Sequence, residues 1–199
     1  MSQRSNKRAA GPTRQQIVDA ALETLKTAGF AGATSRAIAR AGSFNQSLIF
    51  YHFGSVDSLL LAALDSTNAD RLARYSRAVD DAATVDTLVR VLSRLYREDR
   101  KSGHITVVSQ MIAGSVAHPE LAPAVVERMQ PWIELCERAL RKLHDELAVP
   151  ELLPVREVAY AIVTFYLGAN LLAHLDPKRT DALFARLGQL EPLLELLRD

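Results

Sequence analysis

The chain has 199 residues, with 24 Lys and Arg against 23 Asp and Glu, 48% hydrophobic residues and one cysteine. That length buries a proper core, the composition excludes a disordered tail protein, and no apolar run approaches the roughly 18 residues of a membrane span. A lone Cys136 closes no internal disulfide and completes no zinc site, and the basic N-terminus has no apolar stretch behind it, so no secretory signal is read and a reducing cytoplasm is expected.

Charge is unevenly placed. Residues 1–54 carry seven basic side chains against two acidic ones, and the remainder carries 17 against 21. A basic N-terminal quarter fits a small module facing nucleic acid, or a solvated basic tail. Residues 1–11, with Arg4, Lys7 and Arg8, read as a disordered basic arm, open to phosphate or minor-groove contacts or to a solubilising role alone. The Thr13-x-x-Gln16 capping box then opens a helix with Ile17, Ala21, Leu25 and Ala28 at helical spacing, which Gly29 stops. Thr34 caps a second helix that turns Ala37, Ile38 and Ala41 inward and ends at Gly42-Ser43. Asn45 caps a third helix of two turns. Gly54-Ser55 ends it and caps a fourth, beginning at Val56 with Asp57 in its first turn, where a carboxylate suits the helix dipole.

Three helices in residues 12–55, the second and third joined by a short turn, make the helix-turn-helix arrangement, in which the later helix enters the major groove. At about 100° per residue, Gln46, Ser47, Phe50 and Tyr51 share one face of the third helix, while Leu48, Ile49, His52 and Phe53 share the other. The second set can pack on Ile38 and Ile17. The first offers an amide, a hydroxyl and two aromatics outward: Gln pairs with adenine, Ser reaches a base edge, Phe meets a thymine methyl, and a Tyr hydroxyl bonds a phosphate. Phe50 and Tyr51 are equally able to pack under the following helix. His52 reads as a core or phosphate-bonding side chain, since no second ligand stands beside it at metal spacing.

Residues 13–64 resemble the N-terminal domain of the TetR family of transcriptional regulators. The likeness rests on Thr34, Ile38-Ala39, the turn, and IFYHFGSVDSLL where the family has a LYYHF-x-SKEELL-like string. It implies an all-α homodimer that binds a palindromic operator in double-stranded DNA and releases it when a small molecule enters the C-terminal domain. Carried over by position, Thr34 and Ser35 match the cap of the second helix that touches phosphates, and Gln46, Ser47, Phe50, Tyr51 and His52 match recognition-helix positions. Arg14, Arg36 and Asn45 complete the expected DNA-binding set. Three positions depart from the family pattern: Ser43 stands at the usual turn glycine, with Gly42 one place earlier, so that the turn is shifted or Ser43 strained; Phe50 replaces a frequent Tyr; and Val56 replaces a frequent Lys, leaving backbone amides for phosphate.

From residue 56 to 199 the pattern stays helical, approximately Val56 to Ala82, Val85 to Lys101, Ile105 to His118, Leu121 to Ala148, Val155 to Leu175 and Asp181 to Leu197, with Pro131 expected to kink or split the fourth of these. This part is expected to be a helical-bundle ligand-binding and dimerisation domain. Tyr96, Met111, Trp132, Cys136, Tyr160, Phe165 and Asn170 are candidate ligand contacts among apolar segments, each also compatible with a plain core role. Ala159, Ile162, Tyr166, Ala169 and Ala173 form one stripe, and Leu183, Leu187, Leu190, Leu194 and Leu197 another. Both suit a dimer interface or an intrachain core. No nucleotide-binding, hydrolase, metalloprotease or paired-carboxylate signature occurs, so neither catalysis nor a cofactor or metal is expected. The sequence thus reads as a cytoplasmic, homodimeric repressor with an unidentified effector and no membrane partner. A helical-bundle enzyme without a recognised motif, or a protein-interaction adaptor, are the rival readings.

Overall fold

The computed structural model describes residues 13–147 and 154–187. Among the described residues the fold is all-α: α1 (Arg14–Gly32), α2 (Ser35–Ala41), α3 (Ser47–Phe53), α4 (Val56–Asp81), α5 (Val85–Ser102), α6 (His104–Ala117), a 3₁₀ turn (Pro119–Leu121), α7 (Ala122–Leu147), α8 (Val155–Ala173) and α9 (Pro177–Leu187). The basic arm and Leu190, Leu194 and Leu197 lie outside these residues.

Local hydrogen bonds explain the starts. At α1 the Gln16 N–H donates to Thr13 Oγ1 (3.2 Å) and the Thr13 N–H donates back to Gln16 Oε1 (2.7 Å), closing the capping box. Gly29, at φ 69° and ψ −178°, stops the regular helix as expected, and a short helical segment beyond the kink reaches Gly32. Thr34 Oγ1 accepts the Ala37 N–H of α2, and Ser55 Oγ accepts the Ser58 N–H of α4. α7 runs through Pro131 as one helix, so of the expected kink or split, the split does not occur. A single missing donor in a helix of 26 residues is outweighed by the buried Ile133 and Leu135 that follow it.

The turn between α2 and α3 shows why its residues depart from a simple pattern. The Phe44 N–H donates to Ala39 O (2.9 Å) and the Ser43 N–H to Arg40 O (3.2 Å), the paired bonds of a Schellman motif. Its left-handed residue is Ser43, at φ 55°, whereas Gly42 stands at φ −90°. Gly42 is needed for space instead: a Cβ there would lie 2.2 Å from Phe44 Cε1 and 2.9 Å from Ala20 Cβ. The turn is therefore not shifted, and Ser43 carries the strain. Ser43→Gly is expected to stabilise the fold by about 1 kcal/mol in denaturant titration, and Gly42→Ala to destabilise it. No gain from Ser43→Gly would mean that the Ser hydroxyl repays the backbone cost.

Two compact units divide between Ala63 and Leu64, inside α4 and beyond the boundary expected at residue 56. In the N-terminal unit Ile17, Leu25, Ile38, Ile49, Leu59 and Leu60 are fully buried, so the first two turns of α4 complete that core. In the C-terminal unit Tyr75 and Val79 of α4, Leu88 and Leu95 of α5, and Leu135 and Ala139 of α7 form one apolar cluster against Trp132. α8 packs on α7, α6 and α9.

Of the two roles open to the stripe on α8, most of it takes the intrachain one, while Ile162 is exposed. Ala159 and Ala169 are buried and Tyr166 half-buried, so the line through Ala159, Tyr166 and Ala169 faces the chain's own core. The opposite face carries Tyr160, Phe165, Leu171 and Leu172, all exposed, with Gly168 among them and exposed Leu175 just beyond the helix end. Small residues went inward because α7 and α6 approach there, leaving the larger apolar side chains outside.

Candidate nucleic-acid interface

The wheel drawn for α3 matches its observed orientation. Ile49 is fully buried, Leu48, His52 and Phe53 are half-buried, and Gln46 and Ser47 are exposed beside Phe50 (49% exposed) and Tyr51 (81%). The outer aromatics therefore do not pack under a neighbouring helix. Asn45 Oδ1 accepts the Ser47 N–H at 2.9 Å, the bond an N-cap makes two residues ahead. Gln46 already has helical φ and ψ and makes no side-chain cap bond, so its carboxamide stays available.

Around this face lie the cations. Arg36 and Arg40, one helical turn apart on α2, are exposed and line an open groove of about 520 Å³ with Ser43, Phe44, Asn45 and Gln46. The Arg14 guanidinium stacks 4.6 Å from the Phe53 ring centroid, which fixes a mobile side chain by a cation–π contact. His52 is held edge-on to Tyr51, ring centroids 4.9 Å apart. Thr34 is exposed and Ser35 half-buried at the start of α2. Arg40 was absent from the sequence-derived set; its signal was the i, i+4 pairing with Arg36.

The candidate ligand contacts of the C-terminal unit do not converge as one set. Tyr96 is buried, its ring 4.8 Å from that of Tyr166 and 4.2 Å from that of Phe184, and Phe184 in turn lies 6.1 Å from Phe165. Met111 is fully buried, and Trp132 stands edge-on to Tyr75 at 5.4 Å. Asn170 is buried, and its Nδ2 has no hydrogen-bond partner. Tyr160 is 60% exposed on the outer face of α8, away from this interior. Burial pushes the Cys136 thiol up to about 11, which leaves it an unreactive neutral thiol at neutral pH.

Sequence reasoning missed a buried ionic centre. Asp99 (1% exposed) accepts on one oxygen from Arg71 Nε (3.0 Å), Arg71 Nη2 (2.8 Å) and the Tyr75 hydroxyl (2.8 Å). Burial, then the neighbouring Tyr166 and Asp99, push the Tyr75 hydroxyl far above its ordinary range, so it stays a neutral donor. The signal was a charge on an apolar stripe: Arg71 follows Leu64 and Thr67 and precedes Tyr75 and Val79, and Asp99 follows Leu88 and Leu95.

An exposed two-turn helix, set by a strained turn against a capped helix and flanked by the guanidinium groups of Arg14, Arg36 and Arg40, defines a helix-turn-helix DNA-binding module. Residues 17–63 match the family profile described as bacterial regulatory proteins, tetR family. The chain is 25% identical over 132 residues to the HTH-type transcriptional regulator UidR of Escherichia coli, a match covering 66% of each protein, just under two thirds. It is 31% identical over 97 residues to the HTH-type transcriptional regulator TtgR of Pseudomonas putida, covering 48% of this chain and 46% of that one. The fold is similar to that of the transcriptional regulator FadR from Bacillus subtilis in complex with stearoyl-CoA, with a TM-score of 0.72, 19% identity, and 94% and 98% of the two chains covered. Residues 17–63 thus carry the N-terminal DNA-binding domain of the tetR family, and the chain is similar in sequence to HTH-type transcriptional regulators.

Proposed function

We propose that this protein is a cytoplasmic repressor that binds a palindromic operator as a homodimer and releases it when a small molecule occupies the C-terminal unit. The observation that carries the reading is the outward set on α3: Gln46, Ser47, Phe50 and Tyr51 are exposed together, with Arg36 and Arg40 on the adjoining groove. In this reading Gln46 and Ser47 meet base edges and Phe50 a thymine methyl. Tyr51, Arg14, Arg36, Arg40, Thr34, Ser35, Asn45 and His52 serve phosphates or position those that do. Among the described residues no single helix is long and apolar enough to cross a membrane, which accords with action on DNA.

Dimerisation follows from geometry. A palindrome presents half-sites about 34 to 36 Å apart, so two recognition helices must be held at that spacing. The uncharged outer face of α8 is the surface available for a second copy, and exposed Leu183 of α9 extends it. Effector release is a population shift, in which the ligand binds better to a conformer whose recognition helices are misplaced for successive grooves. Relatives named as HTH-type regulators, and a similar fold holding stearoyl-CoA, support this reading.

Selection of bound fragments from random DNA tests it, with a palindromic consensus as the expected result. Gln46→Ala should then relax preference at one base pair per half-site, a loss of about 1 to 3 kcal/mol in discrimination. Equal weakening at every sequence would make Gln46 a backbone contact instead. Protein that ignores DNA at low salt would remove the proposal.

A further inference from the structure

We infer that the C-terminal unit binds a small apolar carboxylate where α4, α5, α7 and α8 meet, anchored on the free edge of Arg71; this deepens the effector reading above and rests on it. Arg71 is 5% exposed, and only two of its three nitrogens are used. Nη1 is buried and donates to nothing. An unsatisfied edge on a buried cation is expensive, and a structural ion pair does not need it left open.

A second donor lies on the facing helix. Tyr166 of α8 is within electrostatic reach of Arg71 and hydrogen-bonding reach of Tyr75, and Asn170 follows it by one helical turn on the same face. Asn170 is as buried as Arg71, and its Nδ2 is likewise unpartnered. On α4 itself Asn68, three residues before Arg71, has a buried Oδ1 without a partner. The open donors call for an acceptor group, and the open Asn68 Oδ1 takes an O–H or N–H of the same molecule.

Charge and walls narrow the class. Asp99 faces two guanidinium groups, since Arg74 Nη2 stands 3.6 Å from its other oxygen; Glu98 reaches Arg74 at 3.5 Å from a half-exposed position. The open edge belongs to a guanidinium, which favours an ionised acceptor and its stronger charge-assisted bonds. The surroundings are aromatic. The Trp132 ring lies 4.9 Å from the Arg71 guanidinium, Tyr75 stands edge-on to Trp132, and Tyr96 packs on Tyr166. An acid carrying an aryl or alkyl body matches such walls, and an alcohol of the same body lacks the charge that Arg71 rewards.

The test is calorimetric titration of the full chain with 3-phenylpropionate and decanoate, and with 3-phenylpropan-1-ol and decan-1-ol as uncharged partners. An acid should bind about tenfold or more tightly than its alcohol. Asn170→Leu, which leaves the Arg71–Asp99 pair intact, should weaken the acid about tenfold while leaving the alcohol unchanged. Arg71→Lys, which retains charge but loses the planar edge, should weaken it too. Equal binding of acid and alcohol, binding of neither, or acid binding indifferent to Asn170→Leu in a variant of native helicity would each overturn the inference. Wild-type protein that selects a DNA palindrome yet binds no acid refutes this site alone, whereas failure to select DNA refutes the regulator reading.

Discussion

Gly168→Arg is expected to yield a folded monomer that has lost its operator. Between Val158 and Ala173 the sequence of α8 contains no charged residue, although Tyr160, Thr164, Leu171 and Leu172 are all exposed. That uncharged face is the surface proposed above for a second copy. Gly168 lies within it, and a Cβ built there meets nothing within 4 Å, so a side chain at this position touches no part of its own chain. Replacing a helical glycine should even favour the fold by up to about 1 kcal/mol. In a dimer the same arginine holds two helices apart and buries an unpaired charge. Sedimentation should therefore report half the wild-type mass with undiminished helicity. Operator affinity should fall by about a hundredfold or more, as one half-site binds without the other. A Gly168→Arg protein that remained dimeric at micromolar concentration would move the interface off this face of α8.

That face illustrates what the sequence discloses. Helix starts were legible because their causes are local: Thr13, Thr34 and Ser55 each bond backbone donors two or three residues ahead, and those partners travel with the cap. The two faces of α3 were legible for a related reason, since seven residues with one buried isoleucine leave a single sensible orientation. α8 is different. It is apolar all round, so periodicity offered two stripes, and only the presence of α6 and α7 on one side decides which becomes core. Ser43 was flagged by its place in the turn, but whether the turn would move to Gly42 depended on where the Phe44 ring needed space. The Arg71–Asp99 pair was missed because its partners are 28 residues apart on separate helices, and each alone looks like a surface charge.

The second large effect is expected at that pair. Asp99→Leu removes the acceptor of three hydrogen bonds and leaves the Arg71 guanidinium buried without a counter-charge. The loss should be about 3 to 5 kcal/mol, enough to lower Tm by roughly 10 °C in a chain of this size. Arg71→Met combined with Asp99→Leu takes both charges out of the interior together, so most of that loss should be regained: burying an ion pair carries a desolvation penalty that an apolar pair of similar volume avoids. Half-exposed Arg74 keeps Glu98 and water, so the buried Tyr75 hydroxyl is the group left without its acceptor, a remaining deficit of about 1 to 3 kcal/mol, and adding Tyr75→Phe should remove it. Thermal denaturation of the single, double and triple variants separates these contributions. If the double variant melts no higher than Asp99→Leu, packing shape and not charge balance holds α4 to α5. If it recovers, stability alone does not require the ions.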